Sequence, residues 1–184
     1  PSKNMLSALV AYAIADTMAS WPTWKARVAN PEEPHLANIR QLTFGGQNAE
    51  AYWNDDCTKI TFQSLQPEYP DEQIFVMNAD GSRKRRVSTG KGRCTCSYFI
   101  PGTDEIIFSS THAVNEGPQR KLDMSKGYLW MVNPEFSLWR VKADGTGLKP
   151  VLRKNGYIAE TTIAPDKSYM TFTATFDGDI DIYR

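Results

Sequence analysis

With 184 residues the chain is long enough for one domain with a sizeable core, and its length does not require a second. Its 21 basic and 21 acidic residues balance, so no overall field draws it to nucleic acid or to an acidic membrane, and nucleic acid is not an expected partner. Aromatics at 11% suit a β-rich fold.

Residues 1–34 read differently from everything after them. Met5 to Ala19 is apolar and rich in alanine, with Leu6, Leu9, Val10, Ala13, Ile14, Thr17 and Met18 on one stripe at helical spacing. A helix is expected there, ended by Pro22 and followed by an extended linker through Pro31 and Pro34. Three roles fit this helix. It can dock on a partner or on the chain's own core, anchor in a membrane over Met5 to Trp24 with Trp21 and Trp24 at the interface, or serve as an uncleaved export signal. Asp16 and Thr17 sit badly inside a membrane span, which favours docking.

From Leu36 the pattern changes to short strands with turn signals. Ile39 to Thr43 is the first, closed by Gly45-Gly46. Gln47 to Trp53 and Thr58 to Ser64 follow, separated by Asn54-Asp55-Asp56, whose side chains bond their own backbone. Ile74 to Met77 then turns at Asn78-Ala79-Asp80-Gly81 into Lys84 to Ser88. A second set runs through Cys94 to Phe99, Glu105 to Ser110, Ser137 to Val141 and Leu148 to Leu152. The third has Ala159 to Ile163, a turn at Pro165-Asp166-Lys167, Tyr169 to Ala174 and Ile180 to Tyr183.

These sets are copies of one another. Ala49 to Trp53 with Lys59 to Ser64 returns at a shift of 46 as Thr95 to Phe99 with Glu105 to Ser110. At a shift of 110 it returns as Ala159 to Ile163 with Tyr169 to Ala174. The turn Asn78 to Gly81 recurs as Lys142-Ala143-Asp144-Gly145 at a shift of 64, so the second copy carries an 18-residue insertion between Thr111 and Phe136. Long loops inside regular repeats usually carry function or cap an opening. Repeats of this length, each a four-stranded antiparallel unit, are the signature of β-propeller blades. The expected fold is therefore all-β: a partial β-propeller of about three four-stranded antiparallel blades over residues 35–184, preceded by the helix and linker of residues 1–34. Strand alternation puts Trp53, Phe99 and Ile163 on one face, as blade-to-blade core, and Glu50, Cys96 and Glu160 near the central channel.

Arg40 to Phe44, the Ala-Glu pairs at 49–50 and 159–160, Pro165-Asp166-Lys167, and Ile74 to Ser82 resemble the repeats of TolB-type propellers over roughly residues 36–184. The resemblance implies a six- or seven-bladed propeller, commonly periplasmic or exported in bacteria, that works by binding protein. Asn54-Asp55-Asp56-Cys57 departs from the Ser-Pro-Asp-Gly turn usual in that family, and the second copy has Pro101-Gly102-Thr103 there. Three blades are half of a usual ring, and an open ring exposes unpaired backbone and apolar faces. Two copies can close a six-bladed homodimer, each Ile39 to Thr43 strand completing the other copy's third blade. Alternatively the chain is part of a longer propeller, or a larger assembly covers the open faces.

Chemistry-bearing motifs are sparse. The sequence has no Gly-x-Ser-x-Gly turn, phosphate loop or metal-binding His pair, and its histidines are His35 and His112. No catalytic residue, metal or cofactor is expected. Asp177 to Asp181 lacks the ligand spacing of a calcium loop, and Arg83 to Arg86 reads as a solvated turn and strand edge. Cys57, Cys94 and Cys96 are odd in number, and Cys94 and Cys96, two apart on a strand, are expected to share a face as reduced thiols. The sequence thus points to a non-catalytic scaffold that binds protein through Trp21, Trp24, Tyr128 and Trp130. In the most specific version it is an extrinsic accessory subunit of a membrane-associated complex, exported or periplasmic, with membrane contact through its N-terminal segment. The alternative is a ligand- or ion-binding propeller using Glu50 and Glu160 beside Cys96.

Overall fold

The computed structural model describes residues 25–27 and 30–184. Among them are 13 strands and no helix, grouped into four antiparallel sheets. The expected N-terminal helix, with Trp21 and Trp24, lies outside the described residues.

Two compact units divide between Thr43 and Phe44. In the first, β1 (Lys25–Ala26) pairs antiparallel with β2 (Arg40–Gln41), and Arg27 N donates to Ile39 O at 3.0 Å. The segment expected to complete a third blade is therefore paired locally. A nearby strand needs only a short loop to close, at less cost in chain entropy than a distant one.

The second unit holds three sheets in chain order. The first blade is β3 (Gln47–Trp53), β4 (Lys59–Leu65), β5 (Gln73–Asn78) and β6 (Arg85–Arg86). The second is β7 (Cys94–Phe99), β8 (Glu105–Ser110), β9 (Ser137–Lys142) and β10 (Lys149–Leu152). The third has three strands, β11 (Ile158–Ile163), β12 (Met170–Ala174) and β13 (Asp181–Tyr183). Four of the hairpins are set by a repeated Asp-x-Ser/Thr turn. Asp56, Asp80, Asp144 and Asp166 accept the backbone N–H two residues on, at 2.8 to 3.0 Å. The hydroxyl and N–H of that following residue hold all four carboxyls below the usual carboxylate range.

The first strand of each later blade lies across the blade before it, β7 on β3 and β4, β11 on β7 and β8. In the first seam Ile74 and Val76 meet Cys94, Phe99, Ile106 and Phe108. Polar groups join them: Thr61 Oγ1 and Ser97 Oγ share a hydrogen bond of 2.8 Å. Gln63 Oε1 accepts from Thr95 Oγ1 at 2.8 Å and from Cys96 N at 3.0 Å. In the second seam Leu138, Ile158, Phe172 and Ala174 form the core, with Phe136 edge-on to Tyr157. Here Ile107 and Ser109 stand at the register positions of Thr61 and Gln63. Ile107 has no hydroxyl to offer and Ser109 is short, so Ser109 Oγ and Thr161 Oγ1 are buried without a partner.

Burying a large apolar side chain contributes roughly 1.5–3 kcal/mol, so the seams hold the blades together. The apolar set expected there is only partly used. Phe99 is buried, Ile163 is half-buried, and Trp53, on the first blade, is 52% exposed. At the other end Ile182 is 80% exposed, yet it stands opposite Thr173 as Ile74 stands opposite Gln63 and Leu138 opposite Ser109, both of which are fully buried. The outer face of the third blade thus carries seam chemistry with no further blade on it among the described residues.

Candidate functional site

Each first strand carries a bulge at the same place. Ala49 pairs with Gln63 and Tyr52 with Thr61, so Glu50 and Ala51 face one residue of β4. The same shift recurs at Cys96-Ser97 and at Glu160-Thr161. The leading residue of each bulge has positive φ, 52° at Glu50, 53° at Cys96 and 56° at Glu160, a conformation that costs a non-glycine residue roughly 1–2 kcal/mol. This bend overturns the expected face-sharing of the two strand cysteines. Cys94 is sealed in the first seam, where burial pushes its thiol up to about 12. Cys96 turns into a cavity of about 290 Å³ lined also by Glu50, Tyr52, Tyr98, Glu160 and Thr162.

The three residues assigned to the channel by strand alternation therefore line one cavity, one from each blade. Both carboxylates are engaged: Tyr52 Oη donates to Glu50 Oε2 at 2.7 Å, and Thr173 Oγ1 donates to Glu160 Oε2 at 2.9 Å. The bond to Glu50, with burial, pushes the Tyr52 hydroxyl up to about 12. Burial, with the nearby Glu160 and Glu50 charges, pushes the Cys96 thiol up to about 11, so it is protonated at neutral pH. All three cysteines are unpaired by disulfides. Among the described residues no group of three or more His, Cys, Asp or Glu side chains is placed to hold a metal ion.

The insertion between β8 and β9 builds a second place, a groove of about 470 Å³ over the end of the first blade. Its foot is a half-buried charge cluster that the sequence reading missed. Arg93 Nε lies 2.8 Å from Glu72 Oε2 and 3.7 Å from Asp71 Oδ1, and Arg93 Nη2 donates to Glu72 Oε1 at 3.1 Å, with all three side chains 16 to 18% exposed. Burial first, then the shared hydrogen bond with Asp71, pushes the Glu72 carboxyl up to about 7 against the pull of Arg93. No local signal could have revealed this cluster, because Arg93 and Glu72 are 21 residues apart on different blades.

The insertion is tied to the cluster. Gln119 N donates to Asp71 Oδ2 at 3.0 Å, and the Arg93 guanidinium sits 4.7 Å over the Trp130 ring. Trp130 Nε1 in turn donates to Tyr157 Oη at 3.3 Å at the start of the third blade. Trp130 is thus half committed to holding the loop down, whereas Tyr128 is 80% exposed and Met124 and Leu129 are also exposed. His112 lies at the base of the loop. Its Nδ1 shares a 2.8 Å hydrogen bond with Ser110 Oγ, its ring packs 4.3 Å from Trp139, and burial lowers its pKa.

No protein-family model and no curated protein matches the chain. Solved structures do. TolB from Acinetobacter baumannii superposes with a TM-score of 0.55 at 15% identity, over 79% of this chain and 32% of that one. A TolB structure from Agrobacterium tumefaciens gives 0.53 at 18% identity, over 72% and 41%. The fold is that of a TolB-type propeller. Hydrazine synthase of Kuenenia stuttgartiensis superposes as well, at a TM-score of 0.51 and 16% identity, over 73% of this chain and 23% of that one. The chain spans less than half the length of each of these matches.

Proposed function

We propose that the chain is a non-catalytic scaffold of the TolB-like kind that binds protein through the insertion between β8 and β9. The observation that carries this reading is the division of labour within the loop. Trp130 is fixed between Arg93 and Tyr157, and the fixed loop holds Tyr128, Leu129 and Met124 outward. Exposed aromatic side chains on a rigid support lose little conformational entropy on binding and are the usual anchors of interfaces. The more specific role, an extrinsic accessory subunit of a membrane-associated complex outside the cytoplasm, draws support from the TolB-like fold and from the apolar composition of residues 5–19. A second copy or a further blade covering the third blade's outer face is in keeping with the exposed Ile182.

The reading is tested by co-purification of the tagged chain from the membrane fraction of its source cells, compared with Tyr128→Ala and Leu129→Ala variants. Loss of an anchor worth about 2 kcal/mol lowers capture of the co-purifying protein roughly 30-fold, with an unchanged thermal melt. Undiminished capture by the double variant would sink it.

A further inference from the structure

The groove beneath the insertion has a charge arrangement that selects its occupant. Its apolar wall is supplied by Leu122, Met124, Tyr128 and Leu129. Arg93 is already neutralised by Asp71 and Glu72 at the foot, where all three are largely withdrawn from solvent. Arg120 and Lys121 also line the groove, are exposed, and have no ion-pair partner among the described residues. The lining therefore carries three cations against two carboxylates, and the two exposed cations, Arg120 and Lys121, stand beside an apolar wall in a chain whose total charge is zero. Its volume falls within the roughly 300–1,000 Å³ of ordinary ligand clefts.

The geometry points to an extended peptide segment of the partner protein, with apolar side chains against Met124, Tyr128 and Leu129 and carboxylates facing Arg120 and Lys121. This inference rests on the proposal that the insertion is the binding element, and it specifies what that element takes. An apolar groove alone would accept many segments. The two cations add selection by sign, since a basic segment would meet like charge and an acidic one opposite charge.

The test uses the full chain and three fluorescein-labelled peptides of equal length, with one apolar pattern and with Asp/Glu, Lys/Arg or Ser at the alternate positions, read by anisotropy at low salt. The acidic peptide is expected to bind roughly tenfold tighter than the basic one, as two exposed charge pairs allow. The double variant R120E/K121E should reverse that order, and Tyr128→Ala should weaken all three peptides together. Lack of charge preference, or a preference unchanged in R120E/K121E, overturns the inference. So does binding to vesicles of anionic phospholipid with none to the acidic peptide, which would assign the two cations to a lipid surface. If charge preference is absent while Tyr128→Ala and Leu129→Ala still abolish capture of the cellular partner, the scaffold proposal stands and the acidic-peptide inference alone falls.

Discussion

Replacing Arg93 with alanine lowers the stability of the folded chain by about 1–3 kcal/mol, because it leaves the half-buried Asp71 and Glu72 carboxyls without their cation. Asp71 and Glu72 sit at 16% and 18% side-chain exposure, so water replaces the guanidinium only in part. The same substitution removes the cation from the face of Trp130 and so loosens the insertion. Urea denaturation at neutral pH checks the loss, and an Arg93→Ala midpoint within error of wild type would refute it. The sign of the pH dependence is a second readout. Glu72 binds its proton more tightly folded, with its value raised from 4.5 to about 7. In that window the folded state carries more protons than the unfolded one, so this group's contribution to stability is fully present below about 4.5 and is lost as pH rises through about 7. Glu72→Gln should flatten that slope. In Arg93→Ala the slope should steepen, because acidification neutralises the orphaned carboxylates.

Gln73→Leu is expected to cost on the order of 3 kcal/mol despite its similar size. The Gln73 side chain is fully buried and is the hub of the link between the first two blades. Its Nε2 donates to Gly92 O at 2.8 Å, while its Oε1 accepts from Ser88 Oγ at 2.8 Å and from Gly90 N at 2.9 Å. Leucine would leave the half-buried Gly90 N–H and the buried Gly92 carbonyl without this partner. The link has no room to shift: a Cβ on Gly92, at φ +60°, would lie 2.5 Å from Asn115 O and 2.6 Å from Thr111 Oγ1. Gln73→Glu keeps the acceptor but sets a buried carboxyl against the Gly92 carbonyl, so it is also expected to destabilise. Thermal melts of both variants measure it. A Gln73→Leu protein as stable as wild type would show that the link finds other partners.

The blades were legible because strand period, turn chemistry and repeat spacing agree over three copies. Asp56, Asp80, Asp144 and Asp166 mark hairpins by a local bond that any extended-turn-extended stretch can make. That Glu50, Cys96 and Glu160 come together at one cavity was legible for the same reason, since they occupy one position of the repeat. What alternation could not convey was the bulge: a strand read with strict period two puts Cys94 and Cys96 together, and one extra residue with positive φ separates them. Trp53 was misjudged because burial depends on a neighbouring blade, which strand pattern alone does not supply. Asp71, Glu72 and Arg93 escaped notice because the ion cluster exists only once the loop after β4 and the residue before β7 are brought together.

The unequal seams give the unit a tear line. Between the first two blades, separation breaks the Thr61–Ser97 bond and both bonds to Gln63, exchanging them for water at no great gain. Between the second and third, the Ser109 and Thr161 hydroxyls have no protein partner to lose, and opening lets water bond them. Across that seam the Trp130–Tyr157 bond is the main polar tie, so transient opening is expected to start at the third blade, away from the insertion, while the first two stay zipped. Amide exchange faster at Ala159 and Thr161 than at Thr95 and Ser97 is its signature, and the reverse order would contradict it. A partner that clamps the third blade would act as a fastener, prolonging the lifetime of the assembled state without touching the groove at the other seam.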